Sequence, residues 1–449
     1  MNFMIQQISQ RLLNIIRLPG MTLAPALATI LLLGGLAAPL PADDTPIAEH
    51  LILISIDGFN PQWYQDEGWP APLLQEKARE GAYARRALPP FPSTTRPGHV
   101  TLLTGWLPAR HGVFNNSMPY RLEEDSSILH AVHAAGGVTA AVVWPGSGHG
   151  PLDHTIHNLR FIDFSDAETV PPTEGLISAG DGADRPGHSR NYERYITGTV
   201  RDARMMAIGV TFIEKHRPNF LALRFNDTDT TQHRFGRDGA AVRGIVASTD
   251  MGLAEIVAAV ERAGIADKTV FIVTGDHGMD DIRTHLRPNV WLDEAGLGDP
   301  EGPRFEAYGG SAFLHDSDGD EKEEILAMLD ALPEEDRRGF TILSRDKLDE
   351  IGADPRAVFA LNATEGHAFH ASWKKPARLS VNRGQHGSRP TPASPNNYTG
   401  FVAWGPGIEP GTVLDEIGLE DVAPTAAEFL SVDLGERDGR SLVPKLRGQ

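Results

Sequence analysis

An α/β fold with a doubly wound, mostly parallel sheet flanked by helices is predicted by three observations. Short continuous apolar runs alternate with longer stretches of helical spacing. Three of the runs end in an Asp-bearing loop: "IDGF", "FNDTD" and "TGDHG". The rhythm breaks over residues 285–380 and then resumes, which predicts an inserted smaller subdomain within a main domain of residues 43–284 and 381–449.

The elements follow in order. Residues 1–42 read as a secretory signal peptide: Arg11 and Arg17 precede an apolar core, Ile30 to Ala38, that is short for a membrane span and closed by Pro39 and Pro41. "HLILISIDGFN" (50–60) is apolar throughout and reads as a buried parallel strand entering a loop. "APLLQEKAREGAYA" has helical spacing and a Gly stop. "SILHAVHAAGGVTAAVVWPGSG" gives a helix, a Gly break and a strand. Two further helix–strand pairs follow, "RDARMMAIGVTFIEKHRP" with "NFLALRFND", and "VRGIVASTDMGLAEIVAAVERAG" with "KTVFIVTGDHG". In the insertion, "GGSAFLHD" reads as an edge strand and "DEKEEILAMLDAL" as an acidic helix. "DSDGDEKEE" (316–324) lacks the Gly and Glu positions of a calcium loop and reads as a solvated helix start. "YTGFVAWGPGI" and "LEDVAPTAAEFLSV" supply a last strand and helix.

Composition narrows the function. The 449 residues carry a net charge of −19, which argues against nucleic-acid polymers as partners, because phosphate backbones are bound by basic surfaces. A small anion held by a metal is still admissible, since the ion sets the local field. Cysteine is absent, so disulfides, catalytic thiols and thiolate metal sites are excluded, and any metal falls to His, Asp and Glu. An exported chain without Cys suits a bacterial periplasm or the exterior; after signal cleavage no stable membrane insertion is expected.

Asp57 closes the first strand, Asp229 and His233 stand four apart in "DTDTTQH", Asp276 and His277 are adjacent in "TGDHGM", and His386 lies in "GQHGS". Residues four apart share one face of a helical turn, and ligands in doubly wound sheets gather at the carboxyl ends of the strands. Three Asp and three His converging on one edge match the six to eight ligands of a two-ion site, and N/O donors without sulfur suit catalytic zinc. Two Zn2+ ions per chain are therefore expected. A coordinated hydroxyl can ionise without a protein base, which gives a use to "FPSTTRPGH" (91–99). Ser93, Thr94 and Thr95 all remain candidates on spacing, and Ser93 or Thr94 could simply cap the helix that Pro97 begins.

The ordered set "DGF", "PSTTRPGH", "LLTGWLPARHGVFNNSM", "WPGS", "DTDTTQH", "TGDHGM" and "GQHG" resembles the nucleotide pyrophosphatase/phosphodiesterase family of the alkaline phosphatase superfamily, over essentially residues 50–433. The resemblance implies an alkaline-phosphatase-like fold and a small phosphodiester substrate. It implies Thr95 as nucleophile, bridging toward one zinc, and a covalent phosphothreonine that is then hydrolysed. It also implies Asp229, His233 and His386 on one zinc, Asp57, Asp276 and His277 on the other, and Asn116 as donor to a phosphoryl oxygen.

Two departures bear on substrate. Arg96 stands where relatives acting on nucleotides carry a base-stacking aromatic residue. No Lys occurs between Lys77 and Lys215, where monoesterases of the superfamily place a phosphate clamp. Diesters are thus favoured, with Arg96 and Trp144 expected at the substrate and His99 and His111 read as structural. His367 and His370 are candidates to line the pocket from the insertion. A phosphomonoesterase or phosphonate hydrolase on the same scaffold is the competing enzyme reading, and a catalytically silent binding protein the competing class. A sulfatase does not fit, since Cys is missing and His99 stands where its pattern needs Arg. The sequence leaves the oligomeric state open.

Overall fold

The computed structural model describes residues 46–156 except 119, 121, 124 and 149, together with residues 199–298, 301–316 and 321–449. The expected signal segment and residues 317–320 of the calcium-like stretch lie outside the described residues.

Fifteen strands are described, in chain order. They are β1 His50–Ile56, β2 Ala82–Leu88, β3 Thr139–Val142, β4 His154–Ile156, β5 Phe220–Phe225, β6 Thr269–Thr274, β7 Asp280–Leu286, β8 Arg304–Ala307, β9 Ser311–His315, β10 Phe340–Leu343, β11 Phe359–Ala363, β12 His367–Phe369, β13 Arg378–Gln385, β14 Thr399–Trp404 and β15 Thr412–Gly418. Eight of them form the main sheet in the order β15-β2-β14-β6-β1-β5-β3-β4. Every pairing is parallel except the two made by β14, which runs against β6 and β2. The mostly parallel, doubly wound sheet is as expected.

The burial pattern explains the strand sequences. β1 is buried at all seven positions, and its alternate side chains serve opposite faces, as a period of two requires. Leu51 and Leu53 join a core with Leu102, Leu103, Ile128 and Phe429, from the helices Thr95–Thr104, Ile128–Ala134 and Val422–Leu430. Ile52, Ile54 and Ile56 join a second core with Leu74, Phe212 and Leu253, from the helices Pro72–Glu80, Thr199–His216 and Ala240–Arg262. Each such side chain contributes about 1.5–3 kcal/mol by leaving water, so the centre of the sheet is packed on both faces. The site stands on that centre.

One strand was not anticipated and one expectation needs correction. "AYARRAL", which follows the Gly stop of the helix Pro72–Glu80, is β2: its small residues at 82, 84 and 87 face the core, while the arginines between them face outward. "GGSAFLHD" holds β9, which lies between β11 and β8 in a four-stranded antiparallel sheet and is therefore not an edge.

That small sheet buries Phe305, Leu314, Phe359 and Leu361. A three-stranded sheet, β12-β7-β13, joins it to the site. β7 begins directly after the "GDHG" loop and β13 ends directly before His386. The stretch expected as an insertion thus hangs between two ligand-bearing loops.

Candidate metal centre and nucleophile

The loops after two neighbouring central strands, β1 and β6, carry three of the six candidate ligands, and the helix that follows their neighbour β5 bears two more. Asp57 follows β1. Asp276 and His277 follow β6. Asp229 and His233 lie one turn apart on the helix Asp227–Phe235, which begins two residues after β5. His386 arrives from β13. The structure brings them together as two groups, Asp229–His233–His386 and Asp57–Asp276–His277. The groups touch: the His277 and His386 rings stack with centroids 3.5 Å apart.

The three imidazoles share one arrangement. His277 Nδ1 lies 2.9 Å from the Gly278 carbonyl oxygen, His233 Nδ1 3.0 Å from that of Gly384, and His386 Nδ1 2.9 Å from that of Ser93. A carbonyl only accepts, so each Nδ1 carries a proton, and in the neutral ring Nε2 then presents a lone pair. Those lone pairs face carboxylate oxygens. His277 Nε2 is 3.3 Å from both Asp57 Oδ1 and Asp276 Oδ2, and His233 Nε2 is 3.2 Å from Asp229 Oδ1. His386 Nε2 is 3.8 Å from the same Asp229 oxygen.

Asp57 Oδ1, Asp229 Oδ1 and Asp276 Oδ2 are buried without a hydrogen-bond partner. Acceptors facing acceptors in a buried space are stabilised by a positive charge between them, a shared proton or a cation. The donor set, three imidazole nitrogens and three carboxylates, fits zinc in each group.

The electrostatics agree. Burial pushes the Asp276 carboxyl well up, with Asp57 adding to it. Burial also raises Asp229, against the pull of His233. Asp57 goes the other way: burial opposes its charge, but Arg224 and His277 outweigh that and hold it below the usual carboxylate range. Burial keeps His277 and His386 neutral, His386 further lowered by the neighbouring His277 and His233. Neutral imidazoles and carboxylates that crowd one another are the state from which a cation is bound.

The structure also separates the three hydroxyls. The Ser93 hydroxyl donates to the Ser388 carbonyl oxygen over 2.8 Å, and residue 93 bridges to Gly387 as an isolated β-pair. Thr94 occupies the N-cap position without a side-chain cap bond, and its Oγ1 is buried without a partner. Side-chain capping by Ser93 or Thr94 is therefore not found. Thr95 opens the helix Thr95–Thr104, half-buried, with Oγ1 3.4 Å from His277 Nε2. It alone of the three faces the ligands.

Two glycines make this approach possible. A Cβ on Gly98 would lie 2.7 Å from the Asp276 carbonyl oxygen, so only glycine lets this helix press against the ligand loop. Gly387 has φ +114°, and a Cβ there would meet the Tyr308 carbonyl oxygen at 1.9 Å.

Asn116 is exposed beside the nucleophile. Its Oδ1 accepts the Arg96 N–H over 2.8 Å, which leaves its amide nitrogen to donate elsewhere. The Arg96 guanidinium, half-buried, donates to the Met118 carbonyl oxygen.

Trp144, expected at the substrate, is placed differently: it is 3% exposed, donates Nε1–H to the His99 carbonyl oxygen over 3.2 Å, and stands edge-on to the His99 ring. His99 is fully buried. Its Nδ1 lies 2.7 Å from the Thr95 carbonyl oxygen and 3.4 Å from Asp276 Oδ2. Trp144 thus supports His99, and His99 supports the backbone of Thr95.

His111 is buried, in contact with Thr101 Oγ1 and the Val113 N–H. His370 lines a cleft of 310 Å³ with His285, Arg383 and Gln385, and no residue of the two ligand groups lines it. Sequence reading passed over Arg224. Its one signal was an arginine inside the otherwise apolar run "NFLALRF", and it hydrogen-bonds Asp57 through Nε at 3.0 Å and through Nη2.

A family model described as type I phosphodiesterase / nucleotide pyrophosphatase matches residues 51–389. The human ectonucleotide pyrophosphatase/phosphodiesterase family member 7 is 26% identical over 446 residues, covering 95% of this chain and 90% of that protein. A venom phosphodiesterase of Naja atra is 24% identical over 52% of this chain and 26% of its own length. In fold the chain is similar to human ectonucleotide pyrophosphatase/phosphodiesterase 5, with a TM-score of 0.64 at 17% identity, over 88% of this chain and 99% of that one. With a family model matched across most of its length, this chain belongs to the type I phosphodiesterase / nucleotide pyrophosphatase family of the alkaline phosphatase superfamily.

Proposed function

We propose that this protein is an exported, zinc-dependent phosphodiesterase that works through a covalent phosphothreonine at Thr95. The observation that carries the reading is the set of three bare Nε2 lone pairs and three unpartnered carboxylate oxygens beside the Thr95 hydroxyl. Asp229, His233 and His386 would hold one ion, and Asp57, Asp276 and His277 the other. When bound, the ions supply Lewis acidity and the positive charge that phosphoryl transfer requires.

The chain's own residues do the rest. The helix Thr95–Thr104 presents Oγ1 from its first residue, where backbone N–H groups favour an anion. Thr95 Oγ1 forms a bond to phosphorus as the bond to the leaving oxygen breaks. Water then cleaves the phosphorus–Oγ1 bond. In net balance, one diester and one water give one monoester and one alcohol. Asn116, held by the Arg96 N–H, keeps its amide nitrogen free to donate to a phosphoryl oxygen. The contacts of His99 to the Thr95 carbonyl and to Asp276 keep nucleophile and ligand in register.

Preference for diesters rests on the missing lysine and on Arg96, whose guanidinium is engaged by the Met118 carbonyl. A charge-assisted hydrogen bond contributes about 1.5–3 kcal/mol, and its absence costs a dianionic monoester about tenfold to a hundredfold. Bis-p-nitrophenyl phosphate is therefore expected to be turned over at least about tenfold faster than p-nitrophenyl phosphate. The reverse order in a side-by-side kcat/KM assay would favour the monoesterase reading.

Export rests on the basic-then-apolar segment of residues 1–42 and on relatives named as ectonucleotide and venom enzymes. No helix among the described residues is long and apolar enough to cross a membrane.

A further inference from the structure

Arg224 is the fifth of six residues in β5, a strand hydrogen-bonded on both sides within the main sheet. Its register partner on β1 is Ser55, two residues before Asp57. A guanidinium in such a place is unfavourable unless its donors are matched by acceptors. Here both bonding nitrogens, Nε and Nη2, reach one and the same oxygen, Oδ2 of Asp57. This is not the usual fork, in which an arginine takes both oxygens of a carboxylate. The other oxygen, Oδ1, is left without a partner and faces His277 Nε2 at 3.3 Å. Asp276 and Asp229 also lie within the field of the guanidinium.

We propose that Arg224 is a positioning residue of the cation centre: by holding Oδ2 it aims Oδ1 as a one-oxygen ligand and sets the affinity of the Asp57–Asp276–His277 group. The inference rests on the two-ion reading above. It assigns a reason to the arginine that no requirement of β5 as a core strand supplies. Partners that orient a ligand from behind are worth about tenfold to a hundredfold in metal affinity.

The test measures zinc affinity rather than turnover. The full-length wild type, Arg224→Met and Arg224→Lys are each titrated with Zn2+ against a competing chelator, with folding checked by circular dichroism. In Arg224→Met one of the two ions is expected to bind about tenfold to a hundredfold more weakly while the other is unchanged. Arg224→Lys, which keeps a charge and a donor, is expected to recover part of the loss. Two ions bound as in the wild type, tighter binding, or equal weakening of both would overturn the proposal. So would a lysine variant no better than methionine. A wild type that takes up no zinc would instead refute the two-ion reading itself. If Arg224→Met does not fold, Arg224→Gln gives the same comparison with a neutral donor of similar reach.

Discussion

Thr95→Ala is expected to slow hydrolysis of bis-p-nitrophenyl phosphate by on the order of 1,000-fold or more, while the variant folds and keeps its metal. The size follows from what is lost. On the proposed mechanism Oγ1 is the atom that bonds phosphorus, and the neighbouring hydroxyls are not placed to replace it. Ser93 Oγ is committed to the Ser388 carbonyl, and Thr94 Oγ1 is buried without a partner. The substitution removes two side-chain heavy atoms from a half-buried position, so little packing is lost. Intact-protein mass spectrometry after an acid quench should show a phosphoryl adduct on the wild type and none on the variant. Wild-type turnover in Thr95→Ala would end the assignment.

The second large effect is expected at His386. His386→Ala is predicted to lose one of two ions and, with it, most activity. The affinity loss should exceed the roughly tenfold to hundredfold cost of removing a residue that only supports a ligand. His386 closes the group with Asp229 and His233, and it also ties two distant segments together through the Ser93 carbonyl. Elemental analysis of the folded variant reads the outcome directly. Two ions retained would remove His386 from the ligand set.

Much of the fold was legible because the central strands are buried on both faces, so β1, β5 and β6 stand out as apolar runs. β2 was not, because its outward arginines break up the apolar run in "AYARRAL", and its place depends on pairing with β14, more than 300 residues away. The six candidate ligands, which the structure gathers into two groups, could be picked out by residue type and by the Asp229–His233 spacing. What orients them was not. The acceptors of His233 and His386 are backbone carbonyls at Gly384 and Ser93, 151 and 293 positions away, and a carbonyl leaves no mark on a sequence. For the same reason spacing alone could not choose among Ser93, Thr94 and Thr95; the choice depends on where the Ser93–Gly387 bridge holds the turn. Trp144, in a motif near the site, was open to a packing role or to substrate contact, and its buried indole, bonded to the His99 carbonyl, has the packing role.

The central claim is that two groups of three side chains each hold a divalent ion beside Thr95. Anomalous diffraction at the zinc edge, from crystals of protein purified without chelator, tests it most directly. Two peaks are expected, one within Asp229–His233–His386 and one within Asp57–Asp276–His277. No peak in either group, or a single peak outside both, would contradict it.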